Sequence, residues 1–577
     1  MKIFSDPIRF HETIANLIYF VYDNTFILFW YKSTRDSVMN MRPVILLLIG
    51  CWPLGICAQE PVDSFLIRRI KNESVNNSQV MNYAFYLTDV FGPRLTGSPG
   101  FKAAGTWTLA KLREMGLENP HFEMFDWGRS WSAKNFSVHL IRPQYAALIG
   151  SPIPWSLSTN GPVEGEPVLA PLPDFGAPHT EYETFYRDYK GKLKGKILLA
   201  NKPWLRDADR TWPRVSDEKL DRDFAKADSG YLKNRKKLIA QTQEVSDTEK
   251  QYPQLQSDLN QFLKDEGIAA ILIQSIAYSG TVMTTGPHDA RMQAAWLRDP
   301  QYTLPPPTAV LAAEHYRRIT RLLENKQEVS IRIEMSSVFH EDAESGFNIV
   351  AEITGHSKKD EVVMIGAHFD SWTAATGATD NAAGSVVVME AMRILKKLEV
   401  KPDRTIRMVL WGGHEGAGEG SNSYLRKHFI TKYPLDKSDT IAGLSFSYRP
   451  AYAKLSAYFN LDYGGGQIRG IFLEGNEAVQ PIFQSWLEPF RNRGAAHTTL
   501  TSASGTDHGK FDKIGLPGFQ FVQDGRETNT PTHHSNMDGY DYLSKADLQQ
   551  SSIILASFAY HAAMRKDLLP RKPTSGK

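Results

Sequence analysis

The sequence has almost no cysteine and no surplus of charge of either sign. Cys51 and Cys57 are its only 2 cysteines. It has 66 lysine and arginine residues and 64 acidic residues, which gives a formal net charge of +2. A nucleic-acid-binding protein usually carries a basic surplus or stripe, so we expect no nucleic-acid partner. No periodic repeat or low-complexity tract is visible. The 577 residues, 42% hydrophobic and 23% charged, are instead typical of a folded protein of about three or four domains.

An apolar run near the N-terminus is too short to cross a membrane. It covers Val44–Ala58 and follows Arg42, whereas a spanning helix needs about 20 apolar residues, so we expect no stable membrane span. A basic residue, an apolar stretch and a small final residue are typical of a secretory signal, which predicts a secreted, extracellular or periplasmic protein. Cleavage after Ala58 would leave no cysteine, which excludes disulfides and thiol catalysis. The lipobox-like sequence that ends at Cys51 leaves a lipid anchor as the alternative.

Changes in composition and hydrophobic pattern divide the chain into a targeting segment and three further parts. A dense turn cluster, Gly92–Gly100, is followed by a predicted helix that ends at Gly116. Farther along, short apolar strands flank a charged, helix-like stretch from Asp207 to Asp265 that we expect to be a solvated face. These features predict an inserted domain ahead of the main domain, and a signal that starts near Met39. The predicted parts are residues 1–58, 59–145, 146–342 and 343–577.

From Gly346 onward, predicted strands alternate with predicted helices. The closing helix begins near Ser544, with Asp547 three residues on as a capping box. This alternation predicts an α/β fold with a mostly parallel, mixed sheet that carries helices on both faces. The predicted strands are residues 347–353, 362–365, 406–411, 455–461 and 518–522.

Imidazoles and carboxylates follow the carboxyl ends of these strands, where such sheets form their ligand sites. A lone histidine or aspartate there is usually a cap or turn residue, but a whole set at successive strand ends points to a metal site. Two imidazoles and three carboxylates suit a pair of zinc ions bridged by one carboxylate. Asp370 lies two residues after His368, and we expect it to accept the second ring proton of that histidine. The set comprises His368, Asp370, Asp380, His414, Glu415, Asp462, His533 and His534.

Several motifs occur in a specific order along the chain. They are GAHFDS at 366–371, GATDNAAG at 377–384, HEGAGEGS at 414–421, NLD at 460–462 and HSNMD at 534–538. Together they resemble the co-catalytic dizinc exopeptidase family of aminopeptidase and glutamate carboxypeptidase type. The segments GPRLTGSPG at 92–100 and KGKLKGKILL at 190–199 are similar to its N-terminal signature and to the start of a protease-associated domain. Carboxypeptidase Q-like members carry such an insertion, so the resemblance implies a zinc-peptidase fold with an inserted β-rich protease-associated domain at 146–342.

The resemblance also implies a role for each residue of the set. Asp380 would bridge two zinc ions, His368 and Asp462 would complete one site, and Glu415 and His534 would complete the other. His534 is preferred to His533 because it stands four residues before Asp538, the spacing that the family shows. Asp507 and His508 lie in a segment similar to the family's S-D-H and are expected to line the substrate pocket. The implied function is a secreted zinc exopeptidase that cleaves peptides as an aminopeptidase, dipeptidase or carboxypeptidase.

His414 departs from the family pattern. The family normally has two glutamates in tandem, of which the first is the general base, whereas this chain has His414-Glu415. A neutral imidazole can accept the proton of a metal-activated water, so hydrolysis is chemically possible. A histidine there can also bind metal, and Glu419, four residues beyond Glu415, is a less suitable base.

The substitution leaves alternative functions open. One is a zinc-dependent peptide-binding protein on the same scaffold, catalytically weakened or inactive. Another is a single-zinc acyl transferase resembling glutaminyl cyclases, although His368 and Asp462 would then have no purpose. The sequence leaves open whether substrates are recognised by their amine or their carboxylate, and whether the protein is a homodimer.

Overall fold

The computed structural model describes residues 60–174, 177–203, 216–240, 247–284, 296–341, 346–431, 447–524 and 531–572. The chain divides into Met1–Ala58 and Gln59–Lys577, and every described residue belongs to the second unit. The predicted signal, with Met39, Cys51 and Cys57, therefore lies outside the described residues. Within the ranges given above, none of the helices has the length and hydropathy needed to cross a membrane.

The described part of the chain contains both β-strands and α-helices. The strands are β1 (Glu118–Phe125), β2 (Ser130–Arg142), β3 (Ala146–Ala147), β4 (Gly150–Pro152), β5 (Val163–Gly165), β6 (Pro167–Leu169), β7 (Ile197–Leu199), β8 (Ala270–Gln274), β9 (Thr308–Leu311), β10 (Ser330–His340), β11 (Gly346–Ile353), β12 (Lys358–His368), β13 (Arg404–Trp411), β14 (Leu455–Asn460), β15 (Ile468–Phe472), β16 (His497–Thr499) and β17 (Gly518–Gln523). The α-helices are Ser64–Asn77, Val80–Phe85, Pro99–Glu114, His179–Tyr189, Asp217–Ala240, Asp247–Asp265, Ala313–Glu324, Ala383–Lys397, Glu419–His428, Gln480–Leu487, His508–Lys513 and Lys545–Met564.

The main sheet is mixed, with a parallel centre. Its strand order is β1-β11-β13-β12-β14-β17-β15-β16, and the four central strands β13, β12, β14 and β17 run parallel to one another, whereas β11 and β15 pair with them antiparallel. Val363 and Ile365 pack on one face with the helices Ala383–Lys397 and Lys545–Met564. Met364 packs on the opposite face with Phe511. The predicted α/β class, with a mostly parallel sheet covered by helices on both faces, is confirmed.

Local sequence signals set the ends of several helices. Ser544 accepts a hydrogen bond from the backbone N–H of Asp547 at 3.4 Å and caps the helix Lys545–Met564, as the capping box predicts. Ser98 caps the helix Pro99–Glu114 in the same way, with Phe101 as the donor at 3.2 Å. These short-range signals work because the cap satisfies backbone N–H groups that have no partner inside the helix.

Two smaller sheets lie ahead of the main one in sequence. One is antiparallel, with the order β3-β2-β10-β5, and the other has the order β4-β9-β8-β7-β6. β2 pairs with β10 from Ser130 to Arg142, so the antiparallel sheet begins before the boundary predicted at residue 145. The predicted domain boundaries and the protease-associated character of residues 146–342 stay predictions.

The charged stretch between Asp207 and Asp265 was expected to be a solvated face. In the described part it forms the helices Asp217–Ala240 and Asp247–Asp265. One face of the first helix contacts the main sheet: Asp228 accepts hydrogen bonds from Thr499 Oγ1 at 2.7 Å and from the Leu500 N–H at 2.8 Å. The expectation was wrong for this face, because its carboxylates pair with groups at the edge strand β16.

Candidate metal centre

The strand ends bring the candidate ligands together. His368 is the last residue of β12 and pairs in register with Trp411, the last residue of β13. The chain leaves both strands at the same edge of the sheet, and it leaves β14 there too, two residues before Asp462. The helix that begins at Ala383 follows the loop that carries Asp380. The fold therefore gathers side chains that are far apart in sequence.

Asp380 lies between two histidines. Its Oδ1 is 3.0 Å from His368 Nε2, and its Oδ2 is 3.1 Å from His534 Nε2. His368 Nε2 is also 2.9 Å from Asp462 Oδ1, and His534 Nε2 is 3.3 Å from Glu415 Oε2. All five side chains are buried. Each histidine thus faces Asp380 and one further carboxylate.

The nitrogen and oxygen atoms of this cluster are better placed to bind cations than to form hydrogen bonds with one another. His368 Nε2 and Glu415 Oε1 are buried without a hydrogen-bond partner among the described residues. Ligand atoms of His368, Asp380 and Glu415 lie within 4.8 Å of one another, as do those of Asp380, His533 and His534. Imidazole and carboxylate donors at such spacing are what zinc binds in proteins. The residues present therefore fit a zinc site.

Charge is concentrated in this buried cluster. Burial opposes the ionised form of Asp380, yet His368 and His534 hold the pKa of its carboxyl well below the usual range. Burial also disfavours protonated His534, but Glu415 and Asp380 outweigh it and raise the pKa of that imidazole to about 9. The carboxylates thus attract protons onto the histidines, and divalent cations would replace those protons.

Asp370 supports the cluster in a different way from the one predicted. The ring Nδ1 of His368 lies 3.0 Å from the backbone carbonyl oxygen of Asp370, whereas its carboxylate is farther away, at 3.6 Å. That carboxylate instead accepts hydrogen bonds from the backbone N–H groups of His414 and Glu415, both at 3.2 Å, and from Thr96 Oγ1 at 2.9 Å. Asp370 therefore orients the ring through its carbonyl and the His414-Glu415 loop through its side chain.

Asp538 and Asn381 hold the loop around Asp380, and sequence reasoning gave neither a role. Asp538 accepts hydrogen bonds from the backbone N–H groups of Thr379 at 2.6 Å and Asp380 at 3.1 Å. Burial and the charge of Asp380 raise the pKa of Asp538 to about 7. Asn381 Nδ2 donates to Asp462 Oδ1 at 2.9 Å. The four-residue spacing from His534 to Asp538 was the available signal for the first of these contacts.

His414 stacks on His368 and is held by Asp507. The ring centroids of the two histidines are 4.0 Å apart and their planes differ by 9°. His414 Nδ1 is 2.8 Å from Asp507 Oδ2, and its Nε2 is 3.7 Å from Asp462 Oδ2. Burial and the nearby His368 disfavour the imidazolium, but Asp507 and Asp462 raise the pKa of His414 overall. Its side chain remains 14% exposed, so a ligand can reach it.

Lys510 and Ser421 surround the carboxylate of Asp507. The Lys510 ammonium donates to Asp507 Oδ1 at 3.2 Å, and the Ser421 hydroxyl donates to the same oxygen. Burial opposes ionisation of Asp507, but Lys510 and His414 hold its pKa well below the usual range. The negatively charged Asp507 therefore lies next to Nδ1 of the His414 ring.

Three other predicted or considered residues lie in different surroundings. His508 is fully buried and its Nε2 is 2.9 Å from Glu474 Oε1; its place in the substrate pocket stays a prediction. Glu419 forms an ion pair with Arg426, which leaves it unsuited to act as a base. His533 stacks on His534 with centroids 3.7 Å apart, so it stays close to the cluster.

Arg94 is a buried cation beneath the cluster that sequence reasoning missed. Its guanidinium donates to the carbonyl oxygens of Phe369 at 2.9 Å, Thr376 at 2.8 Å and Gly377 at 2.8 Å. Burial lowers the pKa of Arg94 to about 10, although nearby carboxylates oppose this change. The bonds join the loop after His368 to the loop that carries Asp380. The turn cluster that contains Arg94 was visible in the sequence, but its three-dimensional partners were not.

Comparison with known proteins gives concordant matches. Residues 348–559 match the family model described as Peptidase family M28. Carboxypeptidase Q of Mus musculus is 25% identical over 525 residues, which cover 87% of this chain and 93% of that protein. The structure of a Peptidase M28 precursor from Shewanella amazonensis SB2B has a TM-score of 0.59 at 22% identity, over 88% of this chain and 99% of the other. The zinc aminopeptidase BSAP from Bacillus subtilis has a TM-score of 0.51 at 17% identity, over 85% and 95%.

Proposed function

We propose that this chain is a metallo-exopeptidase of the M28 type that hydrolyses terminal peptide bonds at a site for two zinc ions; the match of residues 348–559 to peptidase family M28 and the similarity to carboxypeptidase Q support this proposal. The observation that carries this proposal is the position of Asp380, whose oxygens lie 3.0 Å from His368 and 3.1 Å from His534. One carboxylate facing two imidazoles is the arrangement that a bridging ligand needs.

We assign the ligands by their neighbours. His368 and Asp462, together with Asp380, would hold one zinc, and Glu415 and His534, together with Asp380, would hold the other. Bound zinc would polarise the scissile carbonyl and make water a better nucleophile. Support for the assignment comes from the contacts of each histidine with Asp380 and with one further carboxylate.

We assign His414 as the general base. The ionised Asp507 faces Nδ1 at 2.8 Å, so the ring proton stays on Nδ1 and the lone pair of Nε2 is directed away from Asp507. A histidine held in this way takes the proton of the attacking water at Nε2 and later gives it to the leaving amine. Asp370 orients the same loop through its bonds to the backbone N–H groups of His414 and Glu415. Asp507 therefore acts through His414 as a positioning residue.

A peptide panel tests the proposed reaction. It contains dipeptides, N-acetylated peptides and C-terminally amidated peptides, each incubated with the purified chain before and after zinc removal by a chelator. We expect cleavage that stops on chelation and returns with zinc. Inhibition by an N-terminal block alone identifies an aminopeptidase, inhibition by a C-terminal block alone a carboxypeptidase, and inhibition by either block a dipeptidase. Zinc-dependent binding of peptides without any cleavage would contradict the proposal and favour the peptide-binding alternative.

We also propose that the chain is exported. The support is the sequence of Val44–Ala58, which is typical of a cleaved signal. Mass spectrometry of the mature N-terminus should give cleavage after Ala58, whereas a lipid on Cys51 would establish the anchored alternative. A homodimer stays a prediction that light scattering tests.

A further inference from the structure

The loop that carries His534 pairs with a short segment from a distant part of the chain. Residues 280–284 form this segment, which follows β8 of the five-stranded sheet and comes before the region matched by the family model. The Thr284 N–H donates to the carbonyl oxygen of His534 at 3.2 Å. The Asn536 N–H donates to the carbonyl oxygen of Val282 at 3.0 Å. A bridge between Met283 and Ser535 lies between these two bonds.

The Asn536 side chain completes this pairing. Its Oδ1 accepts a hydrogen bond from the Val282 N–H at 2.7 Å, and its Nδ2 donates to the carbonyl oxygen of Gly280 at 3.2 Å. One side chain thus joins the His534 loop to two residues of the segment. Both bonds are made to backbone atoms, so they fix the path of the chain on each side.

His534 needs such support because of its backbone conformation. Its φ is +52°, in the left-handed region that side-chain-bearing residues rarely adopt. A strained residue keeps this conformation only when its surroundings hold it there. The bond from Thr284 holds the His534 carbonyl, and the ring of Trp372 lies 6.0 Å from the His534 ring at an angle of 66°. Trp372 belongs to the same apolar cluster as Val282.

We propose that residues 280–284 position His534 for zinc, so that the affinity of one of the two zinc sites depends on residues outside the matched peptidase region. This inference rests on the proposed function, because it takes His534 to be a zinc ligand. Partners that orient a metal ligand typically change metal affinity by about 10–100-fold when they are removed. Asn536 and Thr284 are therefore positioning residues.

A second contact from the same part of the chain supports this dependence. The guanidinium of Arg298 lies 3.9 Å from the centroid of a Trp127 ring and donates to the Trp127 carbonyl at 3.0 Å. Trp127 in turn packs so closely on Gly416 that a Cβ there would lie 2.4 Å from the indole. Gly416 follows the proposed ligand Glu415. Residues 280–284 and Arg298 thus contact the two loops that carry the proposed ligands His534 and Glu415.

The variant Asn536→Ala tests the inference in the full-length protein. Zinc content after dialysis is measured by mass spectrometry, zinc affinity by competition with a chelator, and folding by thermal unfolding. We expect the variant to keep one zinc at the wild-type affinity and to bind the second about 10–100-fold more weakly. Asn476→Ala is the matched control, because Asn476 also uses its amide to bind a backbone carbonyl, that of Pro570 at 2.8 Å. The control should bind both zinc ions as the wild type does.

The pair Thr284→Pro and Thr284→Ala tests the same contact from the other side. Proline removes the N–H that binds His534, whereas alanine keeps it, so only the proline variant should bind the second zinc more weakly. If Asn536→Ala and Thr284→Pro both bind two zinc ions at the wild-type affinity, the inference is overturned while the proposed function stands. A wild-type protein that binds no zinc would overturn the proposed function and the inference with it.

Discussion

The surroundings of His414 are suited to orienting an imidazole at the position where the resemblance places a general-base glutamate. Asp507 lies on its Nδ1 side at 2.8 Å, and Lys510 and Ser421 hold that carboxylate in place. In the proposed mechanism this pairing keeps the ring proton on Nδ1 and leaves Nε2 as the acceptor. The neighbours of His414 would thus orient the imidazole as a base.

Replacement of His414 tests its role as a base rather than a ligand. We expect His414→Ala to lower kcat by about 10²–10⁴-fold, the usual contribution of a general base, with zinc content unchanged. His414→Glu restores the family residue and should keep much more activity than the alanine variant. Steady-state kinetics and zinc analysis on the same preparations provide both measurements. Loss of one zinc from His414→Ala would show instead that this histidine is a ligand.

The identities of the proposed ligands could be predicted from the sequence, but their supports could not. His368, Asp380 and Asp462 follow strands or a Gly-rich loop whose patterns are local, so their convergence follows from the parallel sheet. Thr96 and Arg94 act on the same loops through contacts with residues about 275 positions away. Such contacts depend on the packing of distant segments, for which a single sequence carries no signal.

At the level of elements, the helix Asp217–Ala240 contacts a part of the chain that is far away in sequence, the edge strand β16. Besides Asp228, its Asp221 carboxylate lies 2.7 Å from His497 Nδ1 on β16. Its highly charged composition indicated a solvated helix, because the composition of a helix does not say which face meets a partner. The sequence analysis also did not single out β15 or β16; β16 has only 3 residues and lies at the edge of the sheet.

Removal of the Asp228 carboxylate should weaken the attachment of this helix. Asp228→Ala leaves Thr499 Oγ1 and the Leu500 N–H without their acceptor, which should lower the free energy of unfolding by about 1–3 kcal/mol. Asp223→Ala on the same helix is the matched control, because Asp223 is 55% exposed and forms an ion pair with Lys219. The control should change stability by about 0.5 kcal/mol or less. Equal midpoints for both variants in urea-induced unfolding would contradict the proposed attachment.

On the scale of the whole molecule, the buried cluster makes stability depend on zinc. Its carboxylates and imidazoles are gathered only in the folded chain, so zinc binds the native state far better than the unfolded one. The α/β class and the central strands followed from alternation and hydrophobic pattern. The strand order and the start of the second sheet at Ser130 did not, because they depend on pairing between strands far apart in sequence.

Zinc removal should therefore lower the melting temperature. With free zinc at about 1,000 times its Kd, binding to one site stabilises the native state by about 4 kcal/mol. Differential scanning calorimetry of the zinc-loaded and chelator-treated protein should show a large, reversible decrease in Tm. The variant Asp380→Asn removes a charge from the proposed bridging ligand, so its Tm should respond much less to zinc. An unchanged wild-type Tm would be inconsistent with a native-state zinc site.

The most direct measurement is anomalous X-ray diffraction at the zinc absorption edge on crystals of the zinc-loaded protein. The account predicts two anomalous peaks, one on each side of the Asp380 carboxylate, with His368 next to one and His534 next to the other. A single peak, or peaks remote from Asp380, would contradict the paired zinc site on which the proposed hydrolysis depends.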